Sequence, residues 1–226
     1  QLRVLAQFFD YALTVLLRVA HRPRDEAENP DRRKPYPMSW EEQNRLLREL
    51  PPHLQRMALF KVNTGCREAE VCGLRWNWEV RVPELDTSVF LIPEAQVKNR
   101  EERLVVLNRI ARSVIDEQRG QHSKFVFAYK GCAIQRMNGN AWRKARTRAG
   151  LPEVRVHDLK HTFGRRLRAA GVSFEDRQDL LGHKSGRITT HYSAAELHNL
   201  IEAANRVSDE NSRKSPALTI LNSKTG

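Results

Sequence analysis

Cysteine is scarce in this chain and poorly spaced. Cys66, Cys72 and Cys132 are odd in number and none forms a CxxC pair. That argues against a disulfide framework and a zinc ribbon, and it fits a reducing cytoplasm. Long apolar runs are missing too. Nothing approaches the roughly 18 residues that a membrane span needs, so no membrane partner is expected. The opening LRVLAQFFDYALTVLLRVAH carries charges at Arg3, Asp10 and Arg18, which argues against a signal peptide. Internal repeats and low-complexity blocks are absent. Acidic residues are also in short supply: 27 Asp and Glu face 39 Lys and Arg, a formal charge of +12. A surface of that sign concentrates polyanions and gains by releasing their counterions, so nucleic acid is the first partner to expect.

What is present is unevenly placed. Residues 141–170 hold nine Arg and Lys against Glu153 and Asp158, which is +7 of the net +12. Arg143, Lys144, Arg146 and Arg165 in this stretch are the candidate nucleic-acid contacts. Leu2, Leu5, Phe9, Leu13, Leu16 and Leu17 form a helical stripe over residues 2–20. HRPRDEAENPDRRKPYP (21–37), with four prolines, reads as an exposed linker. The first twenty residues therefore suit the trailing helix of a preceding domain, although a helix packed on the main domain has the same pattern. The main domain is expected over 38–207 and a tail over 208–226, whose apolar part is Ala217-Leu218-Thr219-Ile220-Leu221.

Within the main domain, Ser39 and Glu42 have the spacing of a capping box. Helices are expected over 52–63, 67–74 and 108–119, with Thr64-Gly65-Cys66 turning the chain between the first two. Strands are expected over 78–82, 88–92, 103–107 and 125–128. From Asn138 onward the pattern is nearly all helix, broken at Gly150-Leu151-Pro152, Gly171 and Gly182.

Three stretches carry candidate chemistry. In TGCREAEVCGLRW (64–76), Arg67 opens a helix, where a guanidinium can fork two phosphate oxygens. Glu70, at i+3, is close enough to orient it, though the same spacing serves a surface ion pair. In VHDLKHTFGRRLRAAG (156–171), His157 and Lys160 are most of a helical turn apart and can face one phosphate. His157 can donate to a phosphate oxygen or share a proton with a nucleophile. His157 and His161 also have the i,i+4 spacing of a zinc pair. Without the HExxH glutamate, and with Lys160 beside them, no metal site and no cofactor are expected. In LLGHKSGRITTHYS (180–193), His183 follows a Gly182 turn and Tyr192 comes nine residues later. A tyrosine hydroxyl can attack phosphorus if cations hold the phosphate and neutralise the developing charge.

The order Arg67, Lys98, His157, Lys160, His183 and Tyr192, in these contexts, resembles the tyrosine recombinases (phage-type integrases) over roughly residues 38–207. The resemblance implies a mixed α/β catalytic domain, mostly α-helical with a small antiparallel β-sheet. It implies that Tyr192 attacks a phosphate of double-stranded DNA, giving a 3′-phosphotyrosyl link and a free 5′ hydroxyl. Arg67, His157, Lys160 and His183 then stabilise the transition state, and Lys98, in the turn of QVKNREERLVVL, protonates the departing oxygen. One box departs from the pattern: where the family reads His-x-x-Arg, this chain has Lys160 in the arginine's place. The resemblance also implies a homotetramer on DNA, a monomer in isolation, and accessory DNA-bending or directionality factors as further partners. Family members carry a core-binding domain ahead of the catalytic one, so this chain reads as a fragment of a longer enzyme whose tail, Leu218–Leu221, docks in trans. The expected role is integration or excision of a prophage or genomic island. A type IB topoisomerase or a catalytically decayed DNA-binding protein are the rival classes.

Overall fold

A computed structural model of the chain describes residues 33–183 and 192–208. The expected leading helix, most of the proline-rich segment, His191 and the expected docking tail lie outside the described residues. From Pro35 on, the described residues belong to one compact unit. Among the described residues no helix is long and apolar enough to cross a membrane.

The unit opens on helix α1 (Trp40–Glu49). Ser39 accepts from the Glu42 amide at 3.1 Å and Glu42 accepts from the Ser39 amide at 2.8 Å, so the capping box closes as the spacing requires. Just ahead of it the chain is tied down: the Tyr36 amide donates to Asp158 and the Met38 amide to the Thr162 hydroxyl. Helix α2 (Pro52–Thr64) starts with proline, whose missing N–H costs nothing in a first turn, and stops at Gly65 with φ +65°. No side chain fits there, because an added Cβ would lie 2.8 Å from the Phe163 ring and 2.9 Å from Leu181. The short helix α3 (Glu68–Cys72) follows, with Arg67 as its N-cap residue rather than its first helical one.

A three-stranded antiparallel sheet comes next: β1 (Glu79–Val82), β2 (Thr87–Ile92) and β3 (Arg103–Val105), in that spatial order. Phe90 pairs with both Glu79 and Val105, and Ile92 pairs with Arg103. Period-2 alternation gives the sheet two apolar faces. Phe90, Ile92, Val105 and nearby Leu107 enter one core, while Val89, Leu104 and nearby Val106 enter the other. Helix α4 (Arg109–Gln118) is capped by the Asn108 side chain. The expected strand over 125–128 is corrected here. Phe125 makes only an isolated bridge to Arg75, and the pairing falls later, in a hairpin of β4 (Ala128–Tyr129) and β5 (Cys132–Ala133).

Helices α5 (Asn140–Arg148), α6 (Asp158–Ala169), α7 (Phe174–Leu181) and α8 (Ala194–Asn205) complete the described part. The result is a mostly helical α/β domain with a small antiparallel sheet. Helix α6 passes through both cores: Leu159 packs in the first, Phe163 and Leu167 in the second. Each such buried side chain contributes about 1.5–3 kcal/mol, so the register of α6 is held by its apolar face. That register decides where its polar residues point.

Candidate active site

The turn between α2 and α3 aims Arg67. Glu70 holds it twice, accepting from its amide at 2.7 Å and from its guanidinium Nη1 at 2.7 Å. Burial alone would raise the Glu70 carboxyl, but Arg103 and then both Arg67 contacts outweigh it and hold it below the usual carboxylate range. Arg67 is half-buried, and its Nη2 also donates to the Gly182 carbonyl at 3.4 Å.

Helix α6 supplies the next pair. His157 is the residue just before its first turn, and Lys160 follows on the same face, 7% exposed. The Lys160 ammonium donates to the Leu181 carbonyl at the end of α7. Its pKa falls to about 7, through burial first and then through Arg103 and Arg67. His157 keeps an exposed edge, and its ring meets His161 edge-on with centroids 4.6 Å apart. Its pKa falls to about 4, through partial desolvation first, then His161, Lys61 and Lys160. It is therefore a neutral imidazole at neutral pH, able to accept a proton.

Helix α7 ends at Gly182 with φ +58°, and the His183 amide closes the end by donating to the Gln178 carbonyl at 3.0 Å. The His183 pKa is lowered by desolvation, then by Lys160, Arg103 and Arg67. Arg67, His157, Lys160 and His183 line one open cleft of about 660 Å³, together with Arg165 and Arg168. Tyr192 is half-buried just ahead of α8 and does not line that cleft. It lines a smaller pocket with Arg103, Asp179 and Gly182, and the two pockets share His183. Lys98 is exposed on the loop between β2 and β3 and lines neither pocket.

The proposed nucleic-acid contacts differ among themselves. Arg143 and Lys144 are exposed on α5, and Arg165 is exposed on α6 at the rim of the cleft. Arg146 is half-buried and donates to the Val154 carbonyl at 2.9 Å, a bond that ties the end of α5 to the following loop.

Two buried cations have no role in the sequence reading. Lys61, fully buried in α2, donates to the Cys66 carbonyl beside Arg67, and burial pushes its pKa down to about 8. Arg103 opens β3 at 3% exposure and reaches Glu70. Lys61, Arg67, Arg103 and Lys160 thus gather around the buried carboxylate of Glu70. A cluster with that surplus of positive charge is prepared for an anion with more than one oxygen to share.

A model of the Phage integrase family matches residues 38–198. The integrase of Salmonella phage P22 is 30% identical over 179 residues, 74% of this chain and 45% of that relative. A tyrosine recombinase described as XerC-like, from Caldanaerobacter subterraneus subsp. tengcongensis, is 26% identical over 191 residues, 67% of this chain and 49% of that relative. The chain therefore spans about half the length of these relatives. A crystal structure of a lambda integrase(75–356) dimer bound to a COC′ core site shares the fold, with a TM-score of 0.54 at 18% identity over 70% of this chain and 60% of that one.

Proposed function

The chain belongs to the phage integrase family, and from that premise we propose that it cuts and rejoins double-stranded DNA at a specific site, working in the cytoplasm. The observation that supports this best is the single cleft lined by Arg67, His157, Lys160 and His183, bordered through His183 by the pocket of Tyr192. In this reading a DNA phosphate sits in the cleft, with Arg67 and Lys160 on its non-bridging oxygens. His183 donates a hydrogen bond to it. The Tyr192 oxygen forms a bond to phosphorus as the bond to the 5′ oxygen breaks. Neutral His157 takes the tyrosine proton, and Lys98 gives one to the departing oxygen, which requires its loop to close over the bound DNA. The phosphotyrosyl ester keeps the energy of the broken bond, so a 5′ hydroxyl from a partner strand reseals it without ATP. Strand exchange between two duplexes calls for four protomers. The name of the phage P22 relative supports integration or excision of a mobile element as the biological role.

The test is a nicked suicide duplex that carries the attachment junction of the element encoding the chain. The full protein is expected to form a covalent protein–DNA band that Tyr192→Phe abolishes. Binding without a band would leave a DNA-binding protein that has lost its chemistry. Relaxation of plasmid that lacks any such junction would point instead to a topoisomerase.

A further inference from the structure

Arg103 lies five residues past Lys98 and has no role of its own in the resemblance, yet its guanidinium joins three of the segments that build the cleft. Nη2 donates to the Leu180 carbonyl at 2.9 Å and to the Thr64 carbonyl at 3.4 Å, and Nη1 donates to the Asp179 carbonyl at 3.3 Å. Nε lies 3.4 Å from Glu70 Oε2, close enough for an ion pair though not aligned as a hydrogen bond. Thr64 ends α2 just before the turn that launches Arg67, and Glu70 grips Arg67 itself. Asp179 and Leu180 belong to the last turn of α7, which delivers His183. Gly182 is pressed against the same guanidinium: a Cβ there would lie 1.9 Å from Nη1. Arg103 does not line the large cleft; it lines the adjoining Tyr192 pocket, with its Nη atoms engaged by backbone carbonyls.

We propose that Arg103 is a positioning residue, one that fixes the separation of Arg67 and His183 across the phosphate site without touching the phosphate. This rests on the reading of the cleft given above. An arginine is needed because its planar fork spreads donors over three nitrogens and can serve three segments at once; a lysine there keeps the charge but has all its donors on one nitrogen. His157 is outside its control, since the apolar face of α6 sets it.

That asymmetry gives the test a signature that general loss of structure would not produce. The full chain and Arg103→Lys are titrated with inorganic phosphate while the imidazole NMR signals of His157 and His183 are followed. In the wild type both signals should move. In Arg103→Lys the His183 response should weaken at least about tenfold while that of His157 persists. On the nicked duplex the variant should form covalent complex about 100-fold more slowly, with half-saturating DNA changed by less than about threefold, as a misplaced rather than a missing group would do. Two unaltered histidines in the variant, or two lost together, overturn the proposal. Should Arg103→Lys fail to fold, the wild type still decides. Phosphate must shift the Arg67 Nε–H resonance and leave that of Arg103 in place, and an Arg103 resonance that moves alongside makes it a phosphate ligand instead. A wild type that answers phosphate but forms no covalent complex overturns the recombinase reading alone. A cleft that ignores phosphate overturns both.

Discussion

Lys61, Arg103 and Lys160 are buried, whereas Lys98, Arg143, Lys144 and Arg165 are exposed. The buried group commits its donors to backbone carbonyls: Cys66 for Lys61, Leu181 for Lys160, and Thr64, Asp179 and Leu180 for Arg103. Of the exposed group, Arg143 bonds only Asn140 on its own helix, and Lys98 has no partner among the described residues. Burial makes the first group costly to charge, and it is the leading reason that Lys160 and Lys61 sit at about 7 and about 8. The same burial strengthens each charge and fixes it in space. Exposed cations are cheap, mobile and screened beyond about 8–10 Å by physiological salt. The difference teaches that sign of charge alone says little here: the inner cations are fixed by the fold, and in the proposed reading the outer ones supply affinity.

Lys98 offers the sharpest way to break that comparison. If it works as the general acid, Lys98→Ala should slow covalent complex formation by about 10²–10⁴-fold. A duplex with sulfur in place of the departing 5′ oxygen, which leaves without a proton, should restore the rate. An exposed loop lysine would then belong functionally with the inner group. Failure of the sulfur substrate to rescue the variant would return Lys98 to the outer one.

Lys160 tests the inner group by pH. Because its pKa is about 7 in the folded chain, its ammonium is lost as pH rises through that value. Cleavage at limiting DNA, which reports the free protein, should fall by up to about tenfold per unit above it. Lys160→Arg should remove that limb, since guanidinium keeps its proton. Stability should respond in the opposite sense. The folded value lies below the ordinary lysine value of 10.5, so the unfolded chain binds the extra proton between the two and stability rises with pH from about 7 towards 10.5. Denaturant titrations of wild type and variant across that window measure the difference.

The outer group predicts the smallest effect. Lys144→Ala and Arg143→Ala should each weaken DNA binding at low salt and reduce the slope of log affinity against log salt by about 1. Arg146→Ala should instead show up as lost stability, about 1 kcal/mol for its bond to Val154. Binding isotherms at several salt concentrations, with a thermal melt of each variant, separate the two outcomes.

Much of the fold was legible because its signals are local. Ser39 and Glu42, the proline opening α2, Gly65 and the alternation of Val89, Phe90 and Ile92 each act over a few residues. His157 and Lys160 meet for the same reason, sharing one helix face. Arg103 was not legible, because its partners Thr64 and Leu180 lie 39 and 77 residues away. A faint sign existed: period 2 puts Arg103 on the same side of β3 as Val105 and Leu107, the side that faces the first core. Lys61 left a similar trace, four residues after Met57 and three after Ala58 on the buried stripe of α2. In both cases a charge at a core position was the clue. The β4–β5 hairpin escaped because each strand has two residues. Its signal was the turn, where Lys130 and Gly131 both take positive φ.

At the end of α7, the Asp179, Leu180, Leu181 and Gly182 carbonyls are all engaged by Arg103, Lys160 and Arg67. That helix end carries roughly half a negative elementary charge, and it stands as a resident anion in a cleft that awaits a stronger one. Four like charges around one carboxylate would otherwise drive one another apart. If the proposed function holds, a DNA phosphate entering the cleft finds its cations already gathered. On that reading it would take over Arg67 and Lys160 from two carbonyl oxygens, a ligand exchange between a weak oxygen donor and a fully charged one. The empty cleft is thereby held close to the arrangement that a phosphate-filled one would require.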